Sequence, residues 1–254
     1  MSEKALFIKE IKELSLWEKG YSRIYFGDEF CSHLLPGLKD LKELEEFVSS
    51  RNLKFTLVTP FLEEYALQGF ESLLQNIPEG LRGCEVVLND WATLKMCRKF
   101  GFKPVLGRLL TRQKQDPRLY GLKKYFNREE VDYICQPALN RDFLKFLALR
   151  GIGRIELNPV LQGIKIEQDL EDFSLSLYYP YGYITTSNDC FFAKEEKKCF
   201  NNCVGAFCLG APSFPVRVFL KGNTLFFRNG SRPEDIISGN FDVRVIVQPD
   251  SWFY

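Results

Sequence analysis

Cys190, Cys199, Cys203 and Cys208 place four thiols within nineteen residues, in the pattern C-x8-C-x3-C-x4-C. A metal ion or cluster needs several thiolates from a short, bendable length of backbone, and this Asn-, Gly- and Pro-flanked segment can supply them. The surrounding Asn188, Asp189, the lysine- and glutamate-rich run at 194–198, Asn201 and Asn202 are polar rather than core-like. A soft-metal site is therefore the leading expectation. Both an iron–sulfur cluster and a structural zinc are held by four thiolates.

The other cysteines divide by context. Cys84 opens the apolar run CEVVL, Cys97 lies in a helical stretch and Cys135 in VDYICQPA, a run read as a strand; each reads as a small buried hydrophobe. Cys31, just past the strand in RIYFGDEFCSHLLPGL, is the candidate distant ligand.

The chain has 254 residues, and 34 basic against 33 acidic side chains leave no global field that would draw it to nucleic acid or an anionic membrane. The opening MSEKALFIKEIKEL carries charges at helical spacing and lacks the apolar core of a signal peptide. No window approaches the roughly 18 uninterrupted apolar residues of a membrane span. A cytoplasmic location is expected, where cysteines serve metals, catalysis or burial rather than a disulfide framework.

The elements that must position these thiols alternate. SRIYFGDEF, KFTLVTP, CEVVLND, KPVLGRLL, VDYICQPA, GRIELNP and FSLSLYYPYGYI read as strands. Between them LPGLKDLKELEEFVSSRN, EEYALQGFESLLQNI, WATLKMCRKFG and RDFLKFLALRG have apolar residues at three- and four-residue steps, as amphipathic helices require. The pattern implies parallel pairing in an α/β fold. A (β/α) TIM-barrel-like architecture, allowing for an incomplete or irregular one, is preferred over an open sheet: no Gly-rich phosphate turn follows the first strand, and polar residues cluster after successive strands, where barrels carry their sites. PVRVFLKGNTLFFRNG reads as a hairpin turning at Gly222-Asn223, and FDVRVIVQP as a further strand. The division expected is a barrel-like iron–sulfur domain over 1–212 and a C-terminal β extension over 213–254 packed on it.

Asp28, Glu29, Asn89, Asp90 and Arg112 are candidate pocket residues at the barrel mouth, with helix capping as the structural alternative for Asn89-Asp90. The basic run Arg108, Arg112, Lys114 and Arg118 could meet RNA but lacks interleaved aromatic residues, and so reads as a solvated loop. The tyrosines at 178–183 suit stacking or a packed strand end. His33 is the sole histidine, and neither H-E-x-x-H nor G-x-S-x-G occurs, so peptidase machinery is not expected.

RIYFGDEFCS, then VVLNDWATLKMCRKFG and GRLLTR, then SNDCFFAKEEKKCFNNC resemble the collagenase-like peptidase family, and most the UbiV branch, short members that partner UbiU in oxygen-independent ubiquinone hydroxylation. The resemblance covers about residues 20 to 210. It implies a [4Fe-4S] cluster on Cys31, Cys190, Cys199 and Cys203, with Cys208 as an alternative ligand because the interval from Cys190 to Cys199 is shorter than the UbiV spacing. It also implies a heterodimer with a UbiU-like member and a prenylated aromatic substrate, with a tRNA base as the lesser alternative. Where many members carry Leu-Ser-x-Glu, this chain has Leu157-Asn158-Pro159-Val160, which removes a carboxylate and weakens any peptidase expectation. A non-enzymatic scaffold with structural zinc at the same thiols, or a collagenase-like peptidase, remains the alternative.

Overall fold

In the computed structural model, residues 3–167, 170–188, 190–193, 199, 203, 205–210, 212–239 and 241–254 are described. Asp189, the run at 194–198, Asn201 and Asn202 lie outside them. Strand β1 (Lys4–Ile8) leads to β2 (Arg23–Gly27), helix α1 (Leu38–Ser50), β3 (Lys54–Val58), α2 (Glu64–Gln75), β4 (Glu85–Leu88), α3 (Trp91–Phe100) and β5 (Lys103–Leu106). Helices α4 (Arg118–Leu122), α5 (Arg128–Cys135) and α6 (Arg141–Leu149) precede β6 (Arg154–Leu157), β7 (Ile164–Lys165) and β8 (Ser174–Tyr179). There follow β9 (Tyr181–Thr186), β10 (Phe207–Leu209), β11 (Val218–Lys221), β12 (Thr224–Arg228), α7 (Pro233–Ile236), β13 (Ile237–Ser238) and β14 (Val243–Val247).

Eight parallel strands close into a barrel in the order β1-β14-β8-β6-β5-β4-β3-β2. Alternation along each strand sorts side chains to its two faces. On β1, Ala5 and Phe7 join the lumen cluster with Tyr25, Val58, Val87, Val105, Tyr178 and Ile246. Leu6 and Ile8 face the outer core, where helix residues such as Leu41, Leu44 and Phe70 cover the strands.

The helices start and stop where the chain chemistry dictates. Asp90 accepts the Thr93 N–H (2.9 Å) to cap α3, and Gly101 ends it at φ 76°, a left-handed conformation that glycine adopts without penalty. Asn140 accepts the Phe143 N–H (2.9 Å) to cap α6.

Three expectations are corrected. Residues 131–135 of VDYICQPA form the end of α5 rather than a strand: Asn127 accepts the Glu130 N–H (3.0 Å) while Glu130 accepts the Asn127 N–H (2.9 Å), a reciprocal capping box that nucleates a helix. The amino-terminal segment holds a barrel strand, since the uncharged run after Lys4 is buried on both faces between β14 and β2. The 213–254 segment is not an extension outside the barrel, because β14 pairs with both β1 and β8 and closes it. Dividing the chain at 212 would open the cylinder.

Between β8 and β14 the chain builds an antiparallel sheet, β10-β11-β12-β9, over the C-terminal mouth. Its β11–β12 hairpin turns at Gly222-Asn223, with Gly222 at φ 60°. Among the described residues no helix is long and apolar enough to cross a membrane.

Candidate functional site at the barrel mouth

The loop after β2 begins at Gly27, whose φ is 135° and where an added Cβ would stand 2.2 Å from the Val58 carbonyl oxygen. Only glycine fits there. Asp28 then organises the turn: its Oδ1 accepts the N–H groups of Phe30 (2.7 Å) and Cys31 (2.9 Å), and its Oδ2 meets the Lys9 ammonium at 2.5 Å. The rim hairpin clamps this loop from the other side, where Asn223 Nδ2 donates to the carbonyls of Phe30 (2.8 Å) and Ser187 (2.6 Å).

These elements enclose a cavity of about 1090 Å³ beside the C-terminal ends of β1, β2 and β14. Cys31, Cys190, Cys199 and Cys203 all line it, with Lys9, Asp28, Lys221 and Asn223. Phe30, Phe226 and Trp252 supply aromatic surface, Phe30 and Phe226 meeting edge-to-face at 5.4 Å. Cys208 does not line the cavity and lies exposed on β10. Burial, then the Asp28 charge and the neighbouring Cys199 and Cys203, push the Cys31 thiol up to about 12, against a backbone hydrogen bond at His33. Burial and then Cys190 raise Cys203, while the Lys221 charge opposes the rise.

Among the described residues no three His, Cys, Asp or Glu side chains stand ready-set around a metal ion. The four thiols share a space without converging on one point. As donors they fit a soft centre, because all four are thiols, the ligand type that soft metals and iron–sulfur clusters take.

Beneath the mouth is a buried polar network. Arg108 grips Glu29 through two hydrogen bonds, donates Nη1 to Asn158 Oδ1 (3.1 Å) and the Tyr181 carbonyl (3.0 Å), and packs 3.9 Å over the Tyr178 ring. Asn158 donates to the Tyr183 carbonyl (2.9 Å) and accepts the Tyr183 N–H (3.0 Å). Here it holds the rim sheet to the barrel.

Of the five predicted pocket residues, Asp28 reaches the cavity and four others do not, Glu29 being held by Arg108. Asn89 donates to the Thr59 carbonyl (2.7 Å). Asp90 caps α3, as the capping alternative held for it, and accepts the Leu62 N–H (3.0 Å), whereas Asn89 caps no part of α3. Arg112 is exposed. The basic run is no continuous surface either: Arg108 is fully buried, and Arg118 pairs with Asp116 at 2.5 Å. The tyrosines form packed strand ends, with Tyr178, Tyr181 and Tyr183 buried. His33 Nε2 contacts the Tyr65 hydroxyl (3.2 Å), which also bonds Ser32 Oγ (2.6 Å).

Sequence reasoning missed Lys9, Lys221 and Asn223. Lys9 carried a usable signal, because it directly follows a strand adjacent to the one before Asp28; reading that strand as helical hid it.

No protein-family model matches the chain, and no curated protein matches it. Among solved structures the chain is similar to the U32 peptidase Mk0906, at 11% identity and a TM-score of 0.47, over 97% of this chain and 92% of that chain.

Proposed function

We propose that the chain is an iron–sulfur protein in which Cys31, Cys190, Cys199 and Cys203 hold a [4Fe-4S] cluster at the C-terminal mouth of the barrel. The observation that carries this reading is that one early thiol and three late ones line a single cavity, which the neighbouring Cys208 does not line. Such a cluster supplies one-electron transfer when bound. The chain's own residues have definable tasks around it. Asp28 sets the turn that presents Cys31, Asn223 holds the rim hairpin against that turn, and Phe30, Phe226 and Trp252 limit water.

The activity in this proposal comes from the sequence resemblance: oxygen-independent hydroxylation, of a prenylated aromatic ring before a tRNA base, in complex with a longer UbiU-like partner. A thiol-peptidase reading lacks support at the same residues. Cys31 has its thiol raised rather than activated, and His33 engages Tyr65.

The test is purification without oxygen, with iron, zinc and acid-labile sulfide counted per chain. About four irons and four sulfides, falling sharply in Cys31→Ser, are expected. One zinc with no sulfide would replace the cluster with a structural metal. Co-purification with a UbiU-like protein tests the partner separately.

A further inference from the structure

We propose that the floor of the barrel, at the opposite end from the thiols, binds a small oxyanion such as phosphate or a short carboxylate between Arg154 and Arg244. The inference is independent of the iron–sulfur reading.

The parallel strands all begin at this end, and several begin with a charge. Arg23, Glu85 and Arg154 are the first residues of β2, β4 and β6, Arg244 is the second of β14, and Glu3 immediately precedes β1. Closure of the cylinder gathers these three guanidinium groups around the two carboxylates. Glu3 meets Arg23 and Arg244 at 2.7 Å each. Glu85 meets Arg244 at 2.5 Å, Arg23 at 3.3 Å and Arg154 at 3.5 Å. Burial, then the Glu29 charge, raises the nearby Glu156 to about 8, so that it adds little charge at neutral pH. One positive charge is left over among side chains that are only 2% (Arg244), 7% (Arg23) and 19% (Arg154) exposed. A buried charge without a counter-charge is costly.

Arg154 carries the surplus. Its nearest carboxylate oxygen among the described residues is the one on Glu85 at 3.5 Å, and burial, then the Arg244 charge, holds its pKa below the ordinary value against the pull of Glu85. Nη1 is fixed by the Leu175 carbonyl (3.0 Å) and Ser176 Oγ (3.3 Å), and Nη2 has no hydrogen-bond partner among the described residues.

Arg154 and Arg244 both line a cavity of about 170 Å³ beside the starts of β6, β8 and β14. It holds more than one water, at about 30 Å³ each, and falls short of the roughly 300 Å³ at which pockets for drug-sized ligands begin. A phosphate or short carboxylate matches that space, and the guanidinium fork matches its oxygens. Glu3 also lines the cavity, with its charge already shared between two arginines, and so does Asp242, which is exposed and makes no ion pair among the described residues. Asp242 is therefore a competitor for Arg154 rather than its fixed partner.

The experiment measures the denaturant midpoint of the full chain against inorganic phosphate at constant ionic strength made up with sodium chloride, and phosphate or acetate binding by titration calorimetry, in wild type, Arg154→Gln and Asp242→Asn. Wild type should gain stability with phosphate as a ligand bound only to the folded state requires. Binding should weaken at least about tenfold in Arg154→Gln, the loss expected for hydrogen bonds from a charged donor, and tighten in Asp242→Asn. Acetate bound in place of phosphate supports a carboxylate as the occupant of the same site. A wild-type midpoint that rises with sodium chloride as much as with phosphate is a general salt effect and overturns the proposal, as does an unchanged phosphate response in Arg154→Gln. Should Arg154→Gln fail to fold, Asp242→Asn decides: tighter binding supports the site, and equal or weaker binding overturns it.

Discussion

Arg108 and Glu29 form a two-pronged ion pair, Nε to Oε1 at 2.8 Å and Nη2 to Oε2 at 2.7 Å, with side chains 0% and 1% exposed. The pair joins the loop after β5 to the loop that carries Cys31, and the remaining Arg108 donor reaches the rim sheet through Tyr181. Burial works against the charged arginine. The Glu29 charge and hydrogen bonds outweigh it, so the guanidinium pKa lies above its ordinary value.

Arg108→Met should therefore cost more than any exposed arginine in the chain. It leaves Glu29 buried without its partner, for which a loss of about 3–5 kcal/mol is expected. Arg108→Met combined with Glu29→Gln should recover part of that loss. Denaturant midpoints of the two variants and wild type decide it; a single variant no less stable than the double one would show that the unpaired charge is not the cause.

Asp28 serves Cys31 through one oxygen and Lys9 through the other. Asp28→Asn keeps an acceptor for the Phe30 and Cys31 N–H groups and should retain most of the iron. Asp28→Ala removes the acceptor, and a loss of metal affinity on the order of tenfold or more is expected from disturbing a ligand's support. Iron per chain under limiting iron supply, beside a near-ultraviolet circular dichroism spectrum to check the fold, separates the two. Equal iron in both variants would remove the turn-setting role.

Much of the scaffold was legible because local chemistry and global fold agree there. Leu41, Leu44 and Val48 at helical spacing, the Asp90 cap and the Gly101 stop, and the Gly222-Asn223 turn all behave as their residue types dictate. The failures at the two ends of the chain share one physical origin. Lys4–Ile8 and Val243–Val247 become barrel strands through partners hundreds of residues away, since β1 and β14 pair only once the cylinder closes. Burial of Arg108 is also tertiary: its sequence neighbours look like a solvated basic loop, and its partner Glu29 lies in another loop. Cys31 was legible as a rim residue, whereas the exclusion of Cys208 depends on β10 being the edge of the rim sheet.

That edge position makes the choice of late ligands testable. Cys199 and Cys203 line the cavity, and Cys208 pairs through its backbone with Phe219 on β11. Cys199→Ser should lose cluster iron, and Cys208→Ser should keep the wild-type iron, sulfide and visible spectrum. The reverse pattern would move the fourth ligand to Cys208 and require β10 to leave the sheet.

Glu156 gives the fold a pH dependence of definite sign. It lies buried within the barrel, where Tyr178 donates to its Oε2 at 2.8 Å, and its Oε1 has no hydrogen-bond partner among the described residues. Burial, then the negative charge of Glu29, raises its pKa to about 8, despite hydrogen bonds from Tyr178 and Tyr25 and the Arg244 charge. In the unfolded chain the same group titrates near 4.5. The folded state thus holds the proton more tightly, and stability is fully present below the unfolded value and lost as pH rises through the window between it and about 8. The steepest decline expected from one proton is about 1.4 kcal/mol per pH unit. Glu85 acts oppositely at the other end of the barrel: although burial disfavours its charge, hydrogen bonds and charge from Arg244, with Arg23 and Arg154, hold it at about 2, so its contribution is lost as pH falls from the ordinary 4.5 towards about 2. Glu156→Gln keeps an acceptor for Tyr178 and cannot ionise. Its unfolding free energy should be flatter than wild type between pH 5 and 8 (approximate limits set by the window above) and higher at the alkaline end. Parallel pH profiles for the two proteins would instead assign the alkaline decline to another group.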